Sequence, residues 1–112
     1  MRMHWSAQRK LVEVAGVYLA RGLGTSLDRG LWRVRELQPT ITIQMHRKRD
    51  LDKDNRYAAC KPIFDALVRL GWAKDDSPKY MNQVVMPVIV DAKTKPYTEI
   101  TIEWSESDQG EP

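Results

Sequence analysis

The chain is 112 residues long, with 42% hydrophobic residues, 29% charged residues and a net charge of +3. These values predict one globular domain, because a chain of this length can bury one modest core. They exclude an internal disulfide framework, because Cys60 is the only cysteine, and an α-helical membrane span, because no apolar run approaches about 20 residues.

The first half of the chain predicts a helix, a loop and a strand. Apolar residues at helical spacing predict a helix over about residues 6–20, with Ser6 as its N-cap. Three glycines over residues 22–30 predict a loop, and residues 31–37 are compatible with a short helix or an irregular connector. Strict alternation of apolar and polar residues over 40–46 predicts a half-buried strand.

The second half predicts one helix and two strands. A helix is expected over residues 54–70 with its first residue as the N-cap, and Pro62 predicts either a kink or a regular helix that begins there. The apolar run 84–91, interrupted by a proline, predicts a central strand. Alternation over 98–104 predicts the last strand, with its apolar residues facing inward.

Together these elements predict an α+β fold, with a small, mainly antiparallel three-stranded sheet packed against two helices. A single domain is expected over residues 1–104, and the polar segment 105–112 is expected to be disordered. The N-terminus does not resemble a signal peptide, and a single cysteine, predicted to be buried on a helix, fits a reducing compartment. A cytoplasmic location is therefore expected.

Three aspartates stand at alternate positions, at Asp50, Asp52 and Asp54, and a second acidic pair follows at Asp75 and Asp76. In an extended chain, Asp52 and Asp54 would point the same way, and their repulsion would have to be relieved. A divalent cation relieves it, because hard cations prefer carboxylate oxygens. The pattern therefore predicts a metal site.

The aspartates directly follow a basic block, defined as Arg47, Lys48 and Arg49. Residues 1–49 carry a net charge of +7, and residues 50–112 carry −4. Such a division favours a polyanionic substrate, with the basic block in contact with phosphates beside an acidic pocket. An acidic metal site next to a basic surface is typical of a metal-dependent nuclease.

Two other interpretations of the aspartates have to be weighed. An EF-hand calcium loop would need a glycine where Asn55 stands and a glutamate where Lys61 stands, so this interpretation is rejected. Alternatively, the aspartates are solvated loop residues, one of which caps a helix, and Lys61 forms a salt bridge with Asp65 one turn along. These structural roles remain open.

In the order of its motifs, the chain resembles the RusA-like Holliday junction resolvases, which are crossover junction endodeoxyribonucleases. That family combines an Asp-x-Asp-Asn motif, a downstream lysine, an Asp-Ala/Gly-Leu motif on the same helix, a glycine and a paired aspartate. The resemblance covers about residues 38–104. The matching segments are Asp52-Lys53-Asp54-Asn55, Lys61-Pro62, Asp65-Ala66-Leu67, Gly71 and Asp75-Asp76-Ser77-Pro78.

The resemblance implies a homodimeric, Mg²⁺-dependent endonuclease that nicks four-way DNA junctions symmetrically in recombination and repair. It implies that Asp52, Asp54 and Asp76 bind one or two metal ions, with Asp75 in support and Lys61 as an essential catalytic lysine. Mn²⁺ is expected to substitute for Mg²⁺. Neither an organic cofactor nor a membrane partner is expected, and the location would be cytoplasmic and nucleoid-associated, of bacterial or phage type.

The chain also departs from the family pattern. The family has an N-terminal strand with a proline-rich, asparagine-containing turn before a His-Trp pair, and that part is not found before His4 and Trp5, which suggests truncation or another initiation site. An alternative metal pair, Asp50 and Asp52, is less favoured because Asn55 directly follows Asp54. A non-catalytic DNA-binding protein, or a metal-dependent nuclease for forks, flaps or RNA, remains an alternative function.

Overall fold

Five strands and one α-helix form an α+β fold over the residues that the computed structural model describes, which are 1–8, 23–93 and 95–105. In chain order, the elements are β1 (Arg2–Gln8), a 3-10 helix (Trp32–Leu37), β2 (Thr40–Arg47), α1 (Lys53–Arg69), β3 (Asn82–Val85), β4 (Ile89–Val90) and β5 (Tyr97–Glu103). Residues 31–37, which the sequence left open, thus contain a short 3-10 helix.

The five strands form one mixed sheet in the order β1-β5-β2-β3, with β4 also paired to β2. β5 is antiparallel to both β1 and β2, whereas β3 and β4 run parallel to β2. The predicted α+β class is confirmed, but the predicted sheet of three mainly antiparallel strands was wrong for the described residues, and most of the second predicted helix lies outside them. Strand β2 and helix α1 lead into the parallel strand β3, which makes a β-α-β crossover.

Two errors of strand assignment explain the difference. Residues 6–8 were expected to begin a helix, but they end β1, where pairing with β5 along the whole strand stabilises the extended backbone. The rest of that predicted helix lies outside the described residues. The run 84–91 was expected to be one central strand, but Pro87 separates β3 from β4, and both lie at the β2 edge. Proline lacks the N–H that a continuous ladder needs.

The alternation predicted that one face of β2 and one face of β5 point into the core, and both predictions are confirmed. Ile41, Ile43 and Met45 of β2 are buried, and in the register of the sheet Ile43 lies opposite the buried Ile100 of β5. Helix α1 contributes to the same core, and its buried residues are Cys60, Ile63, Phe64, Ala66 and Leu67. The polar residues of β2 consequently face the other side of the sheet.

Helix α1 begins at Lys53 and continues through Pro62, so the alternative of a regular helix that begins at Pro62 was wrong. The helix ends as predicted at Gly71, whose φ of +81° lies in the left-handed region. Burial raises the pKa of the Cys60 thiol to about 11, as expected for an unreactive core cysteine. Among the described residues, no helix has both the length and the apolar character needed to cross a bilayer.

Candidate functional site

The start of α1 determines where the first two aspartates lie. Asp52 is the N-cap, and its Oδ1 accepts a hydrogen bond of 2.8 Å from the backbone N–H of Asn55. The Asn55 side chain donates a second bond of 3.1 Å to Asp52 Oδ2. Both carboxylate oxygens of Asp52 are therefore engaged in capping, which satisfies a backbone donor that the helix cannot satisfy itself.

Two predictions about these aspartates were wrong. Asp54 is not the N-cap, because the helix begins one residue earlier at Lys53 and Asp54 belongs to its first turn. The chain is also not extended across Asp52 and Asp54, so their side chains do not share a direction. Residues two apart at a helix start lie on different sides of the helix.

One face of α1 carries Asp54, Lys61 and Asp65, because these positions are separated by seven and four residues, respectively. The Lys61 ammonium lies 3.8 Å from Asp65 Oδ1, so the salt bridge that was considered for this lysine is present. The same ammonium lies 3.4 Å from Asp76 Oδ2. Lys61 thus contacts two carboxylates and is still 69% exposed, which leaves it accessible to a phosphate.

Asp76 belongs to the segment between α1 and β3, and two contacts hold it. Its carboxylate meets Lys61, and its backbone oxygen accepts a 2.8 Å hydrogen bond from Nε2 of Gln83 on β3. Its neighbour Asp75 is exposed.

An open cavity of about 580 Å³ lies beside the contact between Lys61 and Asp76. Its lining comes from β2, α1, β3 and the segment that precedes β3. The lining includes Thr40, Tyr57, Asp76, Asn82, Gln83 and Val84. Asp76 therefore both lines the cavity and contacts Lys61.

The predicted metal site consists of four aspartates. Asp52, Asp54, Asp75 and Asp76 offer carboxylate oxygens at accessible positions, which is the ligand chemistry that Mg²⁺ prefers. However, within residues 1–8, 23–93 and 95–105, no three acidic, histidine or cysteine side chains are grouped so that they could hold a metal ion.

The basic block lies between β2 and the acidic cap of α1. Arg47 is the last residue of β2 and is half-buried, whereas Lys48 and Arg49 are exposed in the bend that follows. Asp50 stabilises this bend, because its Oδ1 accepts a 2.8 Å hydrogen bond from the backbone N–H of Leu51. The exposed Lys48 and Arg49 therefore lie close to Asp52 in the chain, within the short connection between β2 and α1.

The cavity residues Tyr57, Asn82 and Gln83 were not predicted from the sequence as part of a site. Helical spacing could have identified Tyr57, which stands three residues after Asp54 and four before Lys61, and therefore close to the same helix face. No comparable signal exists for Asn82 and Gln83. They reach the cavity only because β3 pairs in parallel with β2, which placed Asn82 opposite Thr40.

A second polar cluster on the sheet was also missed. Glu99 of β5 is hydrogen-bonded to His46 of β2 and, at 3.0 Å, to Nε2 of His4 of β1, and the His46 ring stacks on Tyr97. Hydrogen bonding to His46, with a smaller contribution from His4, holds the pKa of Glu99 below its usual value despite partial burial. These contacts join the three strands on the face opposite to α1.

No protein-family model matches the chain, and no curated protein matches its sequence. A function for this chain therefore has to be inferred from its own residues and geometry.

Proposed function

We propose that the chain is a Mg²⁺-dependent, structure-selective DNA endonuclease that resolves four-way junctions by paired symmetric nicks in recombination and repair. This is the activity that the resemblance to the RusA-like resolvases implies. The observation that carries the proposal is the 3.4 Å contact between Lys61 and Asp76. It joins two motif residues 15 positions apart on an accessible surface, beside an open cavity and on the helix face that also carries Asp54.

In this proposal, Lys61 stabilises the charge that develops on the phosphate during hydrolysis. Its ammonium is exposed, so a phosphate oxygen can approach it without rearrangement of the fold. Asp65 and Asp76 flank the ammonium and restrict where it points. A positive charge fixed before the reaction stabilises the transition state more effectively than one that must first be oriented.

Asp52, Asp54 and Asp76 are the residues that would hold Mg²⁺, with Asp75 beside them. When bound, the ion supplies a water of lowered pKa and neutralises charge on the scissile phosphate. Mn²⁺ shares the preference for carboxylate oxygens and is the expected substitute. Asp52 additionally positions the first turn of α1 through its bonds to Asn55, so it links the metal set to the helix that carries Lys61.

The basic block would contact the backbone phosphates of the DNA. Such contacts position a duplex without identifying its sequence. A four-way junction presents two equivalent strands, so paired nicks require two active sites related by a two-fold axis, and a homodimer meets this requirement. Neither an organic cofactor nor a membrane is part of the proposal, and we place the enzyme in the cytoplasm, with nucleoid DNA as its partner.

The proposal is tested with Asp76→Asn, which removes the charge but keeps the size of the side chain. We expect this variant to lose Mg²⁺-dependent cleavage of a synthetic four-way junction and to retain binding, because one negative charge near the DNA is removed. Asp28→Asn, in the exposed loop that precedes the 3-10 helix, is the matched control and should cleave normally. Full activity of Asp76→Asn would contradict the metal assignment.

A non-catalytic DNA-binding protein is the second candidate, and one observation favours it. The carboxylates among the described residues are not grouped as a ready metal site. Junction, fork, flap, duplex and RNA substrates, each with Mg²⁺, Mn²⁺ or EDTA, separate the candidates. Binding without any cleavage would identify the second candidate, and cleavage of forks, flaps or RNA in preference to junctions would identify a nuclease of other specificity.

A further inference from the structure

The cavity beside Lys61 and Asp76 contains side chains that the proposed hydrolysis does not use. Tyr57 of α1 lies at this cavity and is 40% exposed, so its ring is accessible to a ligand. Asn82 and Gln83 of β3 also line it, and of the two Gln83 lies on the α1 side of the sheet, because it pairs with the buried Ile41 whereas Asn82 pairs with Thr40. Its volume of about 580 Å³ falls in the range of small-molecule sites.

Hydrogen bonds hold both amides in place and leave part of each amide available. Nδ2 of Asn82 donates to Oγ1 of Thr40 at 3.3 Å, and Nε2 of Gln83 donates to the backbone oxygen of Asp76 at 2.8 Å. Each amide nitrogen carries a second N–H, and each amide oxygen can accept. On the α1 side of the sheet, the lining therefore presents one amide, that of Gln83, with a donor and an acceptor still available, together with the Tyr57 ring.

The charge of the lining indicates which part of a nucleic acid would enter. Asp76 contributes a carboxylate to the wall, and no lysine or arginine lines the cavity among the described residues. Asp76 is already paired with Lys61 and the other lining residues are uncharged, so the cavity suits a neutral base, whereas a phosphate would lie at the Lys61 ammonium. A base also has a flat face that can stack on Tyr57, and an edge that an asparagine or glutamine amide can bond.

We propose that this cavity binds one unstacked nucleobase of the DNA, next to the phosphate held at Lys61. The inference rests on the proposed nuclease function, which it deepens by assigning a base-selecting element to the same site. Enzymes that act on branched or single-stranded DNA meet bases that have already lost part of their stacking. Because Asp76 is shared by the cavity and the Lys61 contact, base binding and phosphate position would be coupled.

Base binding is measured without cleavage, using a single-stranded oligonucleotide that carries 2-aminopurine in the presence of EDTA. Stacking on Tyr57 should quench the fluorescence, and an oligonucleotide with an abasic site should compete about tenfold less well. Tyr57→Ala should lose the quenching and Tyr57→Phe should keep it, because phenylalanine retains the ring. Tyr80→Ala, which removes a tyrosine that does not line the cavity, is the control and should behave like the wild type. An unquenched wild type, or quenching that survives in Tyr57→Ala, would overturn the proposal.

Base selection is measured on a four-way junction whose branch point can migrate, so that the enzyme chooses its cleavage position. We expect the wild type to prefer particular bases at the nick, and Gln83→Ala to flatten this preference about tenfold. Cleavage without any base preference would refute the base site and leave the nuclease intact. Base-dependent quenching without cleavage under any metal would refute the nuclease and leave the base site intact.

Discussion

Asp52 has two possible roles, and they make different demands on its side chain. As the N-cap of α1, it needs an oxygen that accepts hydrogen bonds from Asn55. As a metal ligand, it needs a negative charge. Asparagine meets the first demand and fails the second, so one substitution can separate the two roles.

We expect Asp52→Asn to leave the free energy of unfolding nearly unchanged and to reduce cleavage strongly. Asparagine caps helices as well as aspartate does, whereas alanine at an N-cap costs about 1 kcal/mol. Asp52→Ala should therefore lose both stability and cleavage. Urea unfolding followed by tryptophan fluorescence gives the first quantity, and a junction-cleavage assay gives the second. If Asp52→Asn cleaves like the wild type, Asp52 is only a cap.

At this scale, the sequence predicted which distant motif residues meet better than it predicted the direction of each side chain. The contact between Lys61 and Asp76 joins two residues that the motif order had assigned to one site. The relative direction of Asp52 and Asp54 could not be predicted, because both are suitable caps. Asn55 favours Asp52 as the cap, because it stands three residues later and donates both its backbone N–H and its side-chain N–H to the Asp52 carboxylate.

At the scale of elements, helix α1 and the loop before the 3-10 helix are joined at the C-terminus of α1. Ser26 of that loop donates its backbone N–H to Leu70 at 2.9 Å and its hydroxyl to the Gly71 oxygen at 2.6 Å. Trp72, fully buried, donates its indole N–H to the Gly24 oxygen at 3.0 Å. This junction anchors the segment that continues to Asp76.

Gly71→Ala should destabilise the fold more than Gly30→Ala. Both glycines have a positive φ, of +81° and +72°, and alanine in this region costs about 1–2 kcal/mol. A Cβ at Gly71 would also lie 2.8 Å from Oγ of Ser26, whereas a Cβ at Gly30 would meet nothing within 4 Å. Thermal and urea unfolding of the two variants measure the difference. Equal losses of stability would mean that Ser26 moves aside freely.

Strands and helices whose apolar residues recur at a regular spacing were predicted well. Strands that form only by pairing with a distant part of the chain were not. The alternation of β2 and β5 follows from one buried face, which is a local property of the sequence. Helix α1 survives Pro62 because Ile63 and Phe64 are buried in the core directly after it, and burial can compensate for one missing backbone hydrogen bond. The short strand β3 exists only through its pairing with β2, so no local pattern marks it.

At the scale of the whole molecule, β2 links the cavity, the basic block and helix α1 along the chain. Thr40 at its start lines the cavity, and the basic block begins at its last residue, Arg47. The next element along the chain is α1, which carries Asp54 and Lys61. The sequence changes from net positive to net negative charge at one place in the fold, where the basic bend after β2 meets the acidic start of α1.

This placement makes the salt dependence of DNA binding a test of the basic block. Lys48 and Arg49 are exposed in the bend, and each phosphate contact releases condensed counterions, which adds about 0.9 to the slope of log K against log salt. Lys48→Ala with Arg49→Ala should therefore lower the magnitude of the slope by about 2, as measured by fluorescence anisotropy of a labelled junction.

Arg69→Ala with Lys79→Ala is the matched control for this pair. It also removes two exposed positive charges, but from the last turn of α1 and the segment that precedes β3, away from the bend. If DNA followed net charge alone, both double variants would lower the slope equally. A loss confined to Lys48 and Arg49 would instead locate the DNA at the β2–α1 bend, next to the Asp52 cap, where a metal-dependent nuclease needs its phosphates.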